Sequence, residues 1–320
     1  MSAPPPAFVD THCHLDASEF DADRDAVKAR ATDAGVVSIV IPAIAVSNFA
    51  TVAQLAATTA GGAYALGIHP LCTPEADKAD IAILRHAVEA ALADPRFVAL
   101  GEIGLDFFVA ELATSAGRER QTWFYHEQLK IARDFELPVL LHVRRAQDAV
   151  LAGLRRIGKP ERPLRGIAHA FNGSRQQANQ FVGLGLKLGF GGAMTWERAL
   201  RIRALAADLP GDTLVLETDA PDIAPAWLHH RPGDTPRNAP FELPRIAATL
   251  AALRDMPLDE VAAMTTQTAR AALPRLASLQ YGSTPTLSLP LKGGGDVAPS
   301  PLQGEGWDGG RTACQSRNPR

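Results

Sequence analysis

The sequence predicts an α/β fold, a closed (β/α)8 TIM barrel, and three observations carry that expectation. Eight short, β-rich apolar runs recur along the chain, their starts roughly 20 to 40 residues apart, room for a helix and two loops each time. Helical patterns stand between the runs, and alternating strands and helices imply a parallel sheet with right-handed crossovers. Ionisable residues then fall repeatedly at the C-terminal ends of the runs, where a barrel gathers its loops on one mouth. The rival architecture, a doubly wound open sheet of the dinucleotide-binding kind, lacks its fingerprint. The first run is followed by His12-Cys13-His14 and no G-x-G-x-x-G.

Taken in order, strands are expected at 7–11, 36–41, 63–67, 97–103, 138–142, 165–169, 186–190 and 213–217. Among the intervening helices, 21–34 precedes the second strand and 176–184 the seventh. A third, 118–135, precedes the fifth, with Trp123, Phe124, Leu129 and Ile131 as apolar members. Two more helices, 242–253 and 258–272, follow the eighth strand. From about Ala277 the chain turns rich in Gly and Pro and loses periodicity, so residues 1–276 are read as one barrel domain. Residues 277–320 are read as a disordered tail without a part in the chemistry.

Composition narrows the partners. A formal net charge of −3 argues against whole-surface attraction to nucleic acid, though it leaves a local basic cleft open. Three widely spaced cysteines, Cys13, Cys72 and Cys314, are no disulfide framework. The opening Met-Ser-Ala-Pro-Pro-Pro has neither a basic start nor an apolar run, and the chain has no long apolar stretch. The expectation is a cytoplasmic protein with no membrane contact, a monomer or small homo-oligomer.

On these strands, His12 and His14 follow the first, His69 follows the third and Glu102 ends the fourth. His142 and His169 end the fifth and sixth, and Asp219 follows the eighth. Residues two apart on extended chain face the same way, so His12 and His14 can grip one ion. Cys13 between them faces the other way and is read as a small packed hydrophobe. His12, His14, Glu102, His142, His169 and Asp219 make six candidate ligands, with nitrogens and carboxylates suited to divalent cations. Six exceed what one tetrahedral catalytic ion with an open position needs, and suit two ions with Glu102 as a bridge. No G-x-S-x-G elbow supports a serine nucleophile.

Six segments also resemble, in order, the TatD family of metal-dependent deoxyribonucleases. They are Asp10-Thr11-His12-Cys13-His14-Leu15, Gly67-Ile68-His69-Pro70, Gly101-Glu102-Ile103-Gly104-Leu105-Asp106, Leu141-His142-Val143-Arg144, His169-Ala170-Phe171-Asn172-Gly173 and Leu216-Glu217-Thr218-Asp219-Ala220-Pro221. The resemblance spans about residues 7–275. It implies that His12, His14 and Asp219 hold a first ion, His142 and His169 a second, and Glu102 both. The ions implied are Mg2+, Mn2+ or Zn2+, and the substrate DNA, cleaved as a 3′-to-5′ exonuclease.

In the expected mechanism Asp219 orients a water and takes its proton, making Asp219 and Glu102 the catalytic pair. Arg144 and His69 are read as contacts to a phosphate, and Arg237 as a weaker one, with pairing to Glu217 as its alternative. The alternative function is hydrolysis of a small amide or lactone on the same barrel. Such enzymes often bridge their ions with a carboxylated Lys, and the fourth strand supplies none. The chain departs from the family pattern at Ala170 and Asn172, at Thr268, and in a longer 225–240 loop.

Overall fold

The computed structural model describes residues 6–279 apart from 232 and 234. The expected tail from 280 onward lies outside the described residues. Eight strands occur among them: β1 Phe8–Asp10, β2 Val36–Pro42, β3 Gly62–Leu66, β4 Phe97–Asp106, β5 Val139–Arg144, β6 Gly166–Ala168, β7 Leu186–Phe190 and β8 Leu214–Leu216. Every predicted strand is present, and two extend well past their predicted ends, β4 to Asp106 and β5 to Arg144. All neighbours pair parallel in the order β1 to β8.

A helix fills each crossover: α1 Arg24–Asp33, α2 Phe49–Ala57, α3 Asp80–Ala91, α4 Ser115–Asp134, α5 Gln147–Ile157, α6 Arg175–Gly183 and α7 Leu200–Asp208. After β8 come α8 Leu243–Arg254 and α9 Leu258–Ala272. The seam between β8 and β1 is closed by Thr11, whose backbone N–H and hydroxyl both donate to the Leu216 carbonyl at 3.1 and 3.0 Å.

The two-residue strand period sorts the side chains. Ile39, Ile41, Leu141, Leu188 and Leu214 belong to the large core between strands and helices. Val9, Val40, Ala65, Val98, Leu140, Ile167 and Val215 form a second cluster inside the ring, joined by Leu273 and Leu276 from beyond α9. Thr266 bonds the carbonyl of Ala7, and Arg275 the carbonyls of Leu92 and Asp94, so this helix closes the N-terminal floor. With the floor packed by hydrophobes, the inward positions at the opposite end are left for polar side chains. Counting by twos from the inner cluster, Ala65 leads to Gly67 and His69, Leu140 to His142 and Arg144, Ile167 to His169, and Val215 to Glu217.

Candidate metal centre

The centre is built across the seam. Asp10, at the end of β1, accepts the backbone N–H of His12 at 3.3 Å, and the backbone N–H and hydroxyl of Thr218 at 2.9 and 2.6 Å. That buckle fixes the chain after β1 against the chain after β8. Asp219 donates its N–H to the His12 carbonyl at 2.8 Å, and His14 donates its own to Ala220 at 2.8 Å. Asn238 closes the β8 loop from behind, its amide donating to the carbonyls of Thr218 and Asp222. Asp219 sits at φ +55°, a left-handed conformation that Asp tolerates better than most residues.

Glu102 stands at the middle, 1% exposed. Its two oxygens face two different groups of nitrogens. Oε2 lies 3.1 Å from His12 Nε2 and 3.3 Å from His14 Nε2, and Asp219 Oδ1 lies 3.6 and 3.7 Å from the same two atoms. Oε1 lies 2.8 Å from His169 Nε2, 2.9 Å from His142 Nδ1 and 3.1 Å from His69 Nε2. His12 and His169 stack with centroids 3.9 Å apart, joining the two halves.

Around these, further groups that sequence reasoning had not marked hold the candidate ligands in place. Asp106 Oδ2 accepts from His142 Nε2 at 3.1 Å, while its Oδ1 accepts the N–H groups of Phe108 and Val109. Two glutamines of α4, seven residues apart and so on one face, clamp strand ends by their backbones. Gln121 bonds both the N–H and the carbonyl of Asp106, and Gln128 both those of Ile68, the residue before His69. Glu217 is buried beside His169, its Oε1 4.0 Å from Nδ1 and accepting the Ala170 N–H. The signal for Asp106 and Glu217 was the strand period itself, since both fall on inward positions.

Electrostatics follow from burial and proximity. Burial, reinforced by the neighbouring His169, lowers His12 to about 4, and burial lowers His69 as well, so both rings are neutral at pH 7. Burial alone would raise Glu102, but His69, His169 and His12 hold it well below the carboxylate range. The same burial is overcome at His169, which Glu102 and Asp219 raise to about 10, and at His142, which Asp106 and Glu102 raise. Burial would also raise Asp106, yet its bond to His142 brings it to about 2. Burial lifts Asp10 to about 7 against its three hydrogen bonds, and Glu217 to about 8 against His169. Burial pushes the Cys13 thiol up, and the side chain is packed in the core as the sequence suggests.

The donor set fits divalent cations. Bonds of about 2.0–2.2 Å to nitrogen and oxygen place neighbouring ligand atoms roughly 3 Å apart, the range seen around both oxygens of Glu102. Three groups of donor atoms each lie within 4.8 Å of one another: His12, His14 and Asp219; His12, Glu102 and His169; and His69, Glu102 and His142.

Of the expected phosphate contacts, Arg144 faces inward on β5, its guanidinium 3.9 Å from Asp106 Oδ2 and 3.8 Å above the ring of Phe108. His69 lies inside the cluster and not at its rim. The pairing of Arg237 with Glu217 is corrected by the structure. Arg237 makes two 2.7 Å bonds to Asp23 and one to the Glu19 carbonyl, because Glu217 faces the barrel interior and the 225–240 loop runs outside it.

The model of the family described as TatD related DNase matches residues 9–274. The uncharacterized metal-dependent hydrolase YjjV of Escherichia coli is 41% identical over 255 residues, covering 80% of this chain and 93% of that protein. The 3′-5′ ssDNA/RNA exonuclease TatD of Erwinia amylovora is 34% identical over 266 residues, covering 82% and 98%. The crystal structure of Escherichia coli YjjV superposes with a TM-score of 0.75 at 39% identity, covering 83% of this chain and 98% of that one.

Proposed function

Because the chain belongs to the TatD related DNase family, we propose that it is a metal-dependent phosphodiesterase acting on DNA, working as a 3′-to-5′ exonuclease. The observation that carries the reading is the two-sided contact of Glu102, with His12 and His14 at one oxygen and His142 and His169 at the other. Such a carboxylate suits a pair of ions. His12, His14 and Asp219 would hold one, His142 and His169 the other, and Glu102 both. Bound there, Mg2+, Mn2+ or Zn2+ would polarise a phosphoryl oxygen and bring the pKa of water toward neutral.

The chain's own groups do the rest. Asp219, on the open side of the centre and 8% exposed, orients the attacking water and accepts its proton. Arg144, one strand period beyond His142, offers a planar fork to a phosphate of the incoming strand. Asp10 keeps Asp219 and His12 at fixed separation throughout, because all of its acceptor capacity goes to those two loops.

No helix among the described residues is long and apolar enough to cross a membrane. A cytoplasmic location, and a monomer or small homo-oligomer, belong to the same proposal on the sequence grounds given above.

One purified sample tests the reading. Its metal content is measured, and it is then offered end-labelled single-stranded DNA, single-stranded RNA and a lactone. Stepwise shortening of labelled DNA from the 3′ end is the expected result. Cleavage of the lactone alone overturns the proposal in favour of amidohydrolase-type chemistry.

A further inference from the structure

By distance alone His69 is a metal ligand. Its Nε2 lies 3.1 Å from both Glu102 Oε1 and His142 Nδ1, the spacing of neighbouring donors around one ion. The other ring nitrogen says otherwise. His69 opens a short 3₁₀ turn, Pro70–Cys72, and its Nδ1 accepts the backbone N–H of Leu71 at 3.1 Å. A backbone amide can only donate, so Nδ1 carries a lone pair, and the neutral ring must bear its single proton on Nε2. A nitrogen that holds a proton has no lone pair for a cation.

His142 is the opposite case. Its Nε2 donates to Asp106 Oδ2, so Nδ1, 2.9 Å from Glu102 Oε1, is the nitrogen that would give up its proton and offer a lone pair to a bound cation. The two rings meet edge to face with centroids 4.5 Å apart, one with its proton fixed on the nitrogen that faces the centre and the other with its proton fixed on the nitrogen behind it.

The pose of His69 is built, not incidental. The ring is 6% exposed. Its backbone N–H donates to the Ile44 carbonyl at 2.8 Å. Gln128 grips both polar backbone atoms of Ile68. A Cβ on Gly67 would lie 2.7–2.9 Å from the backbone of Gly101 and Glu102, so only glycine lets β3 deliver His69 this close to Glu102.

We propose that His69 is not a ligand but the proton-bearing member of the centre, a fixed hydrogen-bond donor for a non-bridging oxygen of the phosphate group, in substrate and in product. This deepens the phosphodiesterase reading and rests on it. The role is that of a preorganised donor aimed where negative charge gathers.

The experiment uses the full chain loaded with zinc, which is diamagnetic, with His69→Ala and His69→Gln beside the wild type. Four readouts are taken. Bound zinc should stay at the wild-type equivalents in both variants. In 15N-imidazole spectra of the wild type, the His69 signal should show a protonated Nε2 and a bare Nδ1. Inorganic phosphate, titrated calorimetrically against the zinc-loaded protein, should bind more weakly to His69→Ala, kcat on single-stranded DNA should fall about 10²–10³-fold, and His69→Gln, which keeps an N–H, should recover part of both.

Loss of one zinc equivalent in His69→Ala, or a bare Nε2 in the spectrum, overturns the proposal. Unchanged phosphate affinity overturns it equally. The zinc, spectral and phosphate readouts need no diester cleavage. A wild type inert toward DNA therefore sinks the nuclease reading, and these three still decide the role of His69 as a phosphate donor.

Discussion

Replacing Asp106 by Asn tests whether the tautomer of His142 is set from behind. The carboxylate spends Oδ1 on two backbone N–H groups, Phe108 at 2.8 Å and Val109 at 3.0 Å, and Oδ2 on His142 Nε2 at 3.1 Å. In Asp106→Asn the two backbone donors hold the amide oxygen, so the NH2 group turns toward His142. If the ring keeps its proton on Nε2, donor faces donor in a buried place, a penalty of about 1–3 kcal/mol. If the ring shifts the proton to Nδ1, it removes the lone pair that faces Glu102, and an ion must displace that proton to bind. Either route weakens one ion and spares the other. The loss expected for an outer partner of a ligating histidine, 10–100-fold in affinity, equals about 1.4–2.7 kcal/mol. The assay is competition for zinc against a chromophoric chelator, resolving two equivalents, with circular dichroism of the ion-free protein as the folding control. A variant that folds and binds both equivalents as tightly as wild type refutes the reasoning.

Three further outcomes follow from the same geometry. Asp219→Asn should keep the fold and lower turnover by orders of magnitude, and near-normal kcat would remove it from the mechanism. Gly189→Ala places a Cβ 2.1 Å from Glu217 Oε2 in a buried strand, and should destabilise by about 1–3 kcal/mol; Gly183→Ala in α6 meets nothing within 4 Å and should be neutral or slightly stabilising, so equal melting temperatures would count against the packing argument. Ion-free wild type should owe part of its stability to ionised Asp106, whose pKa falls from 3.8 to about 2 on folding. A depressed carboxyl stabilises above its unfolded pKa and loses that contribution as pH falls through the folded one, so about 2 kcal/mol should be present at pH 5 and gone near pH 2. Urea unfolding of wild type and Asp106→Asn across that range should give converging midpoints, and a pH-independent gap would contradict the assignment.

The barrel was legible because its strands are continuous apolar runs bounded by loops, and burial on both faces requires that pattern. The candidate ligands were legible as a cluster because His and carboxylate residues at those strand ends have no packing reason to be there. Thr11 closes the seam by hydrogen bonds outside the strand pairing, so the hydrophobic runs carried no trace of it. Gln121 and Gln128 were hidden for a related reason. Each bonds a backbone far from it in sequence, 60 residues away for Gln128 and Ile68, and a helix pattern registers only that a polar residue sits where an apolar one would fit. The Glu217 alternative for Arg237 failed because a loop between strand and helix has no period from which a partner can be counted.

What the sequence could not convey is the distribution of protons, and function turns on that. Histidines around one carboxylate are chemically alike until each ring's second nitrogen is given a partner. His142 has Asp106, and His69 has the Leu71 amide, so these two are fixed in opposite senses beside the same oxygen of Glu102. The Nδ1 atoms of His12 and His169 are buried without a hydrogen bond, though Glu217 lies 4.0 Å from that of His169, and the two rings stack on one another. The centre is therefore asymmetric. Toward β3 and β5 the hydrogen bonding separates a donor from a ligand in advance. Toward β1 and β8 the position of the ligands depends on Asp10 and Thr218, residues 208 apart that meet only when the ring closes. A donor that must read a phosphate oxygen belongs on the side whose protons are already assigned, and His69 stands there.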